Sequence, residues 1–202
     1  VMALWGAPAE DSDHAAHAVE AALAIANAVV DKQVAAKARG ELGFDVKIGI
    51  NTGEAVVGNV GSERRYNYTA VGEAVNIASR LEPLPGVYRC RVVVGPVTEE
   101  RLRGRFVFRE LDAVSVKGKA EPLRVFEPLA AAGDAQAARL QVQFAAALQD
   151  YRARRFEAAR EAWGRLAAAG DGPSAVMAAR AEAYAGAPPP EAWSGVFTVA
   201  KG

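Results

Sequence analysis

Cysteine is almost missing from this sequence. Cys90 is the single one among 202 residues, which excludes an internal disulfide and a multi-cysteine zinc site. Its neighbours, Tyr-Arg before and Arg-Val-Val-Val after, mark it as a cysteine at the entry to a strand, compatible with a reducing compartment. Histidine is also scarce. His14 and His17 are the only two, and a metal site built on them would need further ligands. No run approaches the ~20 consecutive apolar residues of a membrane span, because the longest apolar stretches are alanine-rich and broken by charge. Nothing resembles a signal peptide. Excess charge is lacking too: Lys+Arg and Asp+Glu balance at 24 each, which counts against a dedicated nucleic-acid binder. The glycines at 49, 53, 58, 61 and 72 form no G-x-G-x-x-G after a strand, and no GxxxxGK[ST] loop occurs. Dinucleotide binding on a Rossmann unit and P-loop hydrolysis are therefore weak readings.

What the sequence does have is an apolar fraction of 51%, ample for a core, in a length that fits one large domain or a domain with an appendage. Val1–Trp5 is expected to be the end of a core strand, closed by Gly6 and Pro8. Ser12 or Asp13 can cap a helix from about His14 to Arg39, with Ala15, Ala18, Val19, Ala22, Ile25, Ala26, Val29 and Val30 as its apolar stripe. Phe44–Asn51 alternates as a strand, Thr52-Gly53 reads as a reversal, and Glu54–Val60 is expected to return as a hairpin partner. Gly61–Asn67 reads as a loop and Gly72–Glu82 as a helix with Ala74, Ile77, Ala78 and Leu81 on one face. Strands follow at Val92–Gly95, Phe106–Leu111, Val114–Val116 and Leu123–Phe126, with a helical turn at Thr98–Leu102. The pattern is that of a mixed α/β (α+β) domain, helices covering a sheet, over residues 1–128. An alanine- and glycine-rich joint occupies 129–135, and 136–202 reads as a small all-helical extension with a hydrophobic tail at Trp193, Val196 and Phe197. The spacing of Phe144, Ala147, Leu148 and Tyr151, then Phe156, Ala159, Ala162, Trp163 and Leu166, resembles one tetratricopeptide hairpin. A lone repeat cannot stand as a solenoid, so this portion is expected to pack on the first domain or to meet a protein partner.

Some residues stand out chemically. Asn76 and Arg80 are four apart on one helix, hence on the same side of it, away from the apolar face. Arg80 offers forked donors suited to phosphate oxygens, and Asn76 can both donate and accept at a polar edge. Lys117 and Lys119 flank Gly118 in a tight turn, where a lysine can bring compact positive charge to a polyphosphate. A solvated surface is the competing reading for each.

Three blocks go further: VMALWGAP at the start, VKIGINTGEAVVGNVGSERRYNYTAVGEAVNIASRLE in the centre, and FRELDAVSVKGKAEPLRVFE beyond it. In this order they resemble the class III adenylate/guanylate cyclase catalytic domain over Val1 to about Phe126. The helical portion, ending in WSGVFTVAKG, resembles the extension behind such domains in some bacterial multidomain proteins. The resemblance implies a ferredoxin-like mixed sheet, and a site shared between two domains paired head to tail, as in a homodimer. It implies Thr69 for the base, Asn76 for the ribose, Arg80 for the reacting α-phosphate and Lys117 for the terminal phosphates. It further implies two Mg2+ or Mn2+ ions held by two aspartates that would lie upstream of Val1; Asp11 and Asp13 match neither position. Threonine at position 69 favours adenine, so ATP is the expected substrate and 3′,5′-cyclic AMP with pyrophosphate the expected products. The absence of a starting methionine suggests missing upstream sequence, with a cytoplasmic catalytic portion and a membrane anchor or another domain before it. The fragment by itself is then expected to be inactive. A degenerate nucleotide-binding or dimerisation module, a guanylate cyclase, and an interaction scaffold remain as alternatives.

Overall fold

The computed structural model describes residues 1–62, 65–115 and 121–198. Helix α1 (His14–Ala38) is close to the expected span. Ala15, Ala18, Val19, Ala22, Ala26 and Val29 are buried at the expected spacing, whereas Ile25 is exposed. Asp13 precedes the helix without making a capping hydrogen bond; its carboxylate pairs instead with Arg105 at 2.7 Å. Val1–Trp5 is not a strand. It runs without a ladder partner, and Val1, Met2, Leu4 and Trp5 are exposed.

The strand expected over Phe44–Asn51 contracts to β1 (Ile48–Ile50). Its partner is not the next segment. β2 (Val56–Ser62) and β3 (Arg65–Val71) form their own antiparallel pair, so the stretch expected to be a loop at 61–67 supplies strand residues on both sides of 63–64. The chain continues through α2 (Glu73–Leu81), α3 (Leu84–Tyr88), β4 (Val92–Val94), α4 (Pro96–Leu102), β5 (Phe106–Ser115) and β6 (Leu123–Ala131). Three helices follow: α5 (Ala135–Arg152), α6 (Phe156–Ala168) and α7 (Gly172–Gly186). The last element is a short strand, β7 (Val196–Thr198).

The main sheet has the order β1-β4-β6-β5-β7. β1 runs parallel to β4, β6 lies antiparallel to β4 and β5, and β7 adds in parallel to β5. Alternation along the strands feeds two layers of core. Val92, Val94, Phe106, Phe108 and Phe126 pack with α1 on one face. Val93, Leu111, Val114, Leu123 and Val125 meet α2, α3 and the three later helices on the other. The fold is thus a mixed sheet between helical layers, with a helical C-terminal extension. Cys90 sits just before β4, half-buried against the second of these cores, and burial pushes its thiol well above the ordinary value.

The extension shares that core rather than resting on its surface. Phe144, Tyr151, Phe156 and Trp163 are buried in one cluster with Leu111, Val114 and Val125 of the sheet. Tyr151, Phe156, Tyr184 and Trp193 form an aromatic group with centroid separations of 5.2–5.8 Å. Ion pairs add to it, and β5 carries the sheet's side of each. Arg109 holds Asp171 at 2.8 Å, Glu110 holds Arg152 at 2.6 Å, and Asp112 pairs with Arg180; within the sheet, Arg109 also holds Glu127 of β6 at 2.6 Å. Among the described residues, no helix is long and apolar enough to cross a membrane.

Candidate functional site

Helix α2 is the element that presents the chemistry, and its seating on β1 explains where its side chains go. Ile77 and Leu81 are buried and turn the helix toward the core. Gly49 of β1 lies so close beneath that a Cβ there would come within 2.4 Å of the Glu82 nitrogen and 2.7 Å of the Ala78 oxygen. Only glycine fits that crossing without a shift. The first turn is pinned separately: the Asn51 side-chain amide donates to the Ala74 carbonyl at 3.2 Å. Gly95 in turn leaves room for Asn51, since a Cβ at that glycine would meet Asn51 Oδ1 at 2.3 Å. Thr52 and Thr98, both buried, share a hydroxyl hydrogen bond of 2.9 Å that ties the end of β1 to α4.

On the side of α2 away from the core, Asn76 is exposed and Arg80 half-buried. The two stand one turn apart, as their spacing requires. The Asn76 backbone is used by the helix: its N–H donates to the Gly72 carbonyl, and its carbonyl accepts from the Ser79 hydroxyl at 2.8 Å. Among the described residues, none holds the Asn76 side-chain amide or the Arg80 guanidinium by a hydrogen bond or ion pair. Thr69 lies on β3, opposite Gly58 in the ladder and half-buried. Three residues later Gly72 leads into α2, pressed against Glu54 and Ala55 so closely that a Cβ would lie 3.0 Å from the Glu54 carbonyl oxygen. Thr69 therefore approaches α2 along a short, constrained path. Lys117 falls outside the described residues; β5 ends two positions before it, at Ser115.

Asp11 and Asp13, the acids nearest the start of α1, are engaged within the protein. Asp11 accepts from His17 at 2.8 Å, Asp13 pairs with Arg105, and His14 contacts Arg101 at 3.0 Å. Among the described residues, no group of three or more His, Cys, Asp or Glu is placed to hold a metal ion. Asn51, Thr52 and Gly95 were missed as supporting residues. The Asn-Thr-Gly run looks like an ordinary turn, and only the crossing of β1 by α2 reveals their use.

The adenylate and guanylate cyclase catalytic domain model matches residues 1–126. The chain belongs to this family. Adenylate cyclase 1 of Rhizobium meliloti (strain 1021) is 38% identical over 127 residues, covering 63% of this chain and 19% of that protein. The chain thus spans about a fifth of that relative's length. Among solved structures, the adenylyl cyclase CyaB from P. aeruginosa superimposes with a TM-score of 0.57 at 26% identity, covering 64% of this chain and 67% of the other. The guanylyl cyclase Cya2 gives a TM-score of 0.54 at 30% identity, with 65% and 66% covered. One adenylyl and one guanylyl cyclase of comparable likeness fix the cyclase fold but not the base. The match leaves the helical extension outside it.

Proposed function

We propose that this chain carries the base-, ribose- and phosphate-recognising part of an adenylate cyclase site. The observation that carries the reading is the pair Asn76 and Arg80, one turn apart on α2, immediately after the strand bearing Thr69, with no protein partner among the described residues. In the reaction, the ribose 3′-hydroxyl of ATP attacks the α-phosphate and gives up its proton to solvent, the bond to the bridging oxygen breaks, and pyrophosphate leaves with the closing of the cyclic phosphodiester. Arg80 supplies donors to the α-phosphate oxygens as their charge grows. Asn76 orients the ribose so that the hydroxyl faces phosphorus. Thr69 complements the adenine amino group, and Lys117 receives the charge of the leaving pyrophosphate.

The complete site is a head-to-tail homodimer, with the metal-binding carboxylates supplied outside the described residues of this chain. The Mg2+ or Mn2+ requirement belongs to that complete protein: chelation should abolish product formation, and either ion should restore it. Helices α5–α7 act as a tetratricopeptide-like brace that packs intramolecularly.

The test is cyclic nucleotide formation by the full-length protein that contains this chain. Cyclic AMP from ATP is expected, with GTP competing poorly. Arg80→Ala should lower kcat roughly a hundred- to thousandfold, the usual loss for one positioned donor, while the dimer persists. Unchanged kcat in that variant sinks the assignment, and preferential cyclic GMP formation would replace adenine by guanine at Thr69.

A further inference from the structure

The geometry points to Arg180 as a positioning residue: through Asp112 and Tyr88 it fixes the segment bearing Asn76 and Arg80, so that the helical extension sets the phosphate-facing half of the site. This rests on the roles just given to Asn76 and Arg80.

The connection is continuous and short. α2 passes into α3 without leaving helical backbone angles, since Glu82 (φ −54°, ψ −41°) and Pro83 (φ −75°, ψ −19°) bridge them. The Glu82 N–H still donates to the Ala78 carbonyl at 3.1 Å. A displacement at the end of α3 is thereby carried into α2 rather than absorbed by a loop. That end is Tyr88, fully buried, whose hydroxyl donates to Asp112 Oδ2 at 2.8 Å. Asp112 lies on β5 with no exposed surface. Its other oxygen accepts the Ala113 N–H at 2.8 Å, and Arg180 of α7 donates to the oxygen that Tyr88 uses.

Arg180 is held on both sides as well. Its guanidinium stacks 3.6 Å from the centroid of Phe197 in β7 and 5.8 Å from that of Tyr88. One arginine from the extension therefore joins α3, strand β5 and the tail strand β7. A fully buried carboxylate needs such a partner. Without Arg180, Asp112 must take a proton or draw in water, and either alters the oxygen that anchors Tyr88.

The test uses the full-length protein and three variants. Tyr88→Phe cuts only the link from α3, leaving the Arg180–Asp112 pair and the core volume intact. Arg180→Met removes the source of the positioning, with Arg180→Lys as the conservative control. Two readouts are taken: kcat and KM for ATP, and amide hydrogen exchange of residues 73–81 by mass spectrometry. Tyr88→Phe should lower kcat roughly tenfold with KM held within about twofold, the pattern of an interaction realised in the transition state. It should also accelerate exchange in α2, while α6 exchanges as in the native protein. Arg180→Met should do the same more strongly, and Arg180→Lys should recover part of both. Native kcat in Tyr88→Phe, or native α2 exchange, overturns the proposal; either change without the other does so too. If the native protein forms no cyclic nucleotide, the roles of Asn76 and Arg80 fail instead, and exchange alone then decides whether Arg180 anchors α2.

Discussion

Arg80 and Asp171 show how differently charge is used in two parts of this chain. Arg80 has no hydrogen-bond or ion-pair partner among the described residues, whereas Asp171 is held by Arg109. Burial pushes the Asp171 carboxyl up, but the hydrogen bond and charge of Arg109, with the Ser174 contacts, more than offset this and hold it below the ordinary value. A carboxylate depressed by folding contributes stability above its unfolded pKa of about 4, and that contribution is lost as pH falls through the folded value. Asp171→Asn preserves a side chain able to cap α7 and removes the charge. It should lower the melting temperature most near pH 7, and the gap to the native protein should close below about pH 4. A gap that stays constant with pH would show that the charge is not what matters. Asn76 and Arg80 were legible in the sequence because helical spacing alone puts them on one side of α2. Asn51 was not, because its amide reaches a carbonyl in a different element and no local pattern encodes that reach.

The same limit on local patterns appears among the strands and helices. The stretch expected to be helical after residue 136 forms three helices, of which α5 and α7 have aspartate caps. β1 was placed but given the wrong neighbour. Thr52-Gly53 looks like a hairpin turn, yet the ladder partner of Ile48–Ile50 is Val92–Val94, running parallel. Parallel pairing needs a crossover and leaves no turn signature at the strand's end. The crossover here is α2 and α3, which brings Asn76 and Arg80 over the sheet. Gly49 is the close-approach residue of that arrangement. Gly49→Ala should destabilise the fold by about 1–3 kcal/mol through overpacking, and lower cyclase activity beyond the loss of folded protein by lifting α2. Denaturant unfolding and kcat on the folded fraction measure the two effects; a fully native variant would mean that α2 is not seated on β1 as described.

For the molecule as a whole, the sequence suggested a boundary where the period of its apolar residues changes, near Pro128. The packing gives that boundary little independence. β6 continues to Ala131, and the aromatic residues of α5 and α6 fill the face of the sheet that Leu111, Val114 and Val125 present. A chain ending after Ala131 should lose cooperative thermal unfolding and bind a hydrophobic dye, whereas two self-sufficient units would leave a soluble, cooperatively melting fragment. Trp163, with no exposed surface, gives a milder check: Trp163→Ala should cost about 3–5 kcal/mol and lower the single melting transition of the whole chain. β7 has one more consequence. Residues 196–198 supply the neighbour of residues 113–115, and translation proceeds at ~5–20 residues per second. For several seconds of every synthesis the β5 edge is therefore made but uncovered, a template that a second nascent chain can pair with. Ribosomes crowded on one message would bring such uncovered edges together, so spacing them by slower initiation should raise the soluble yield.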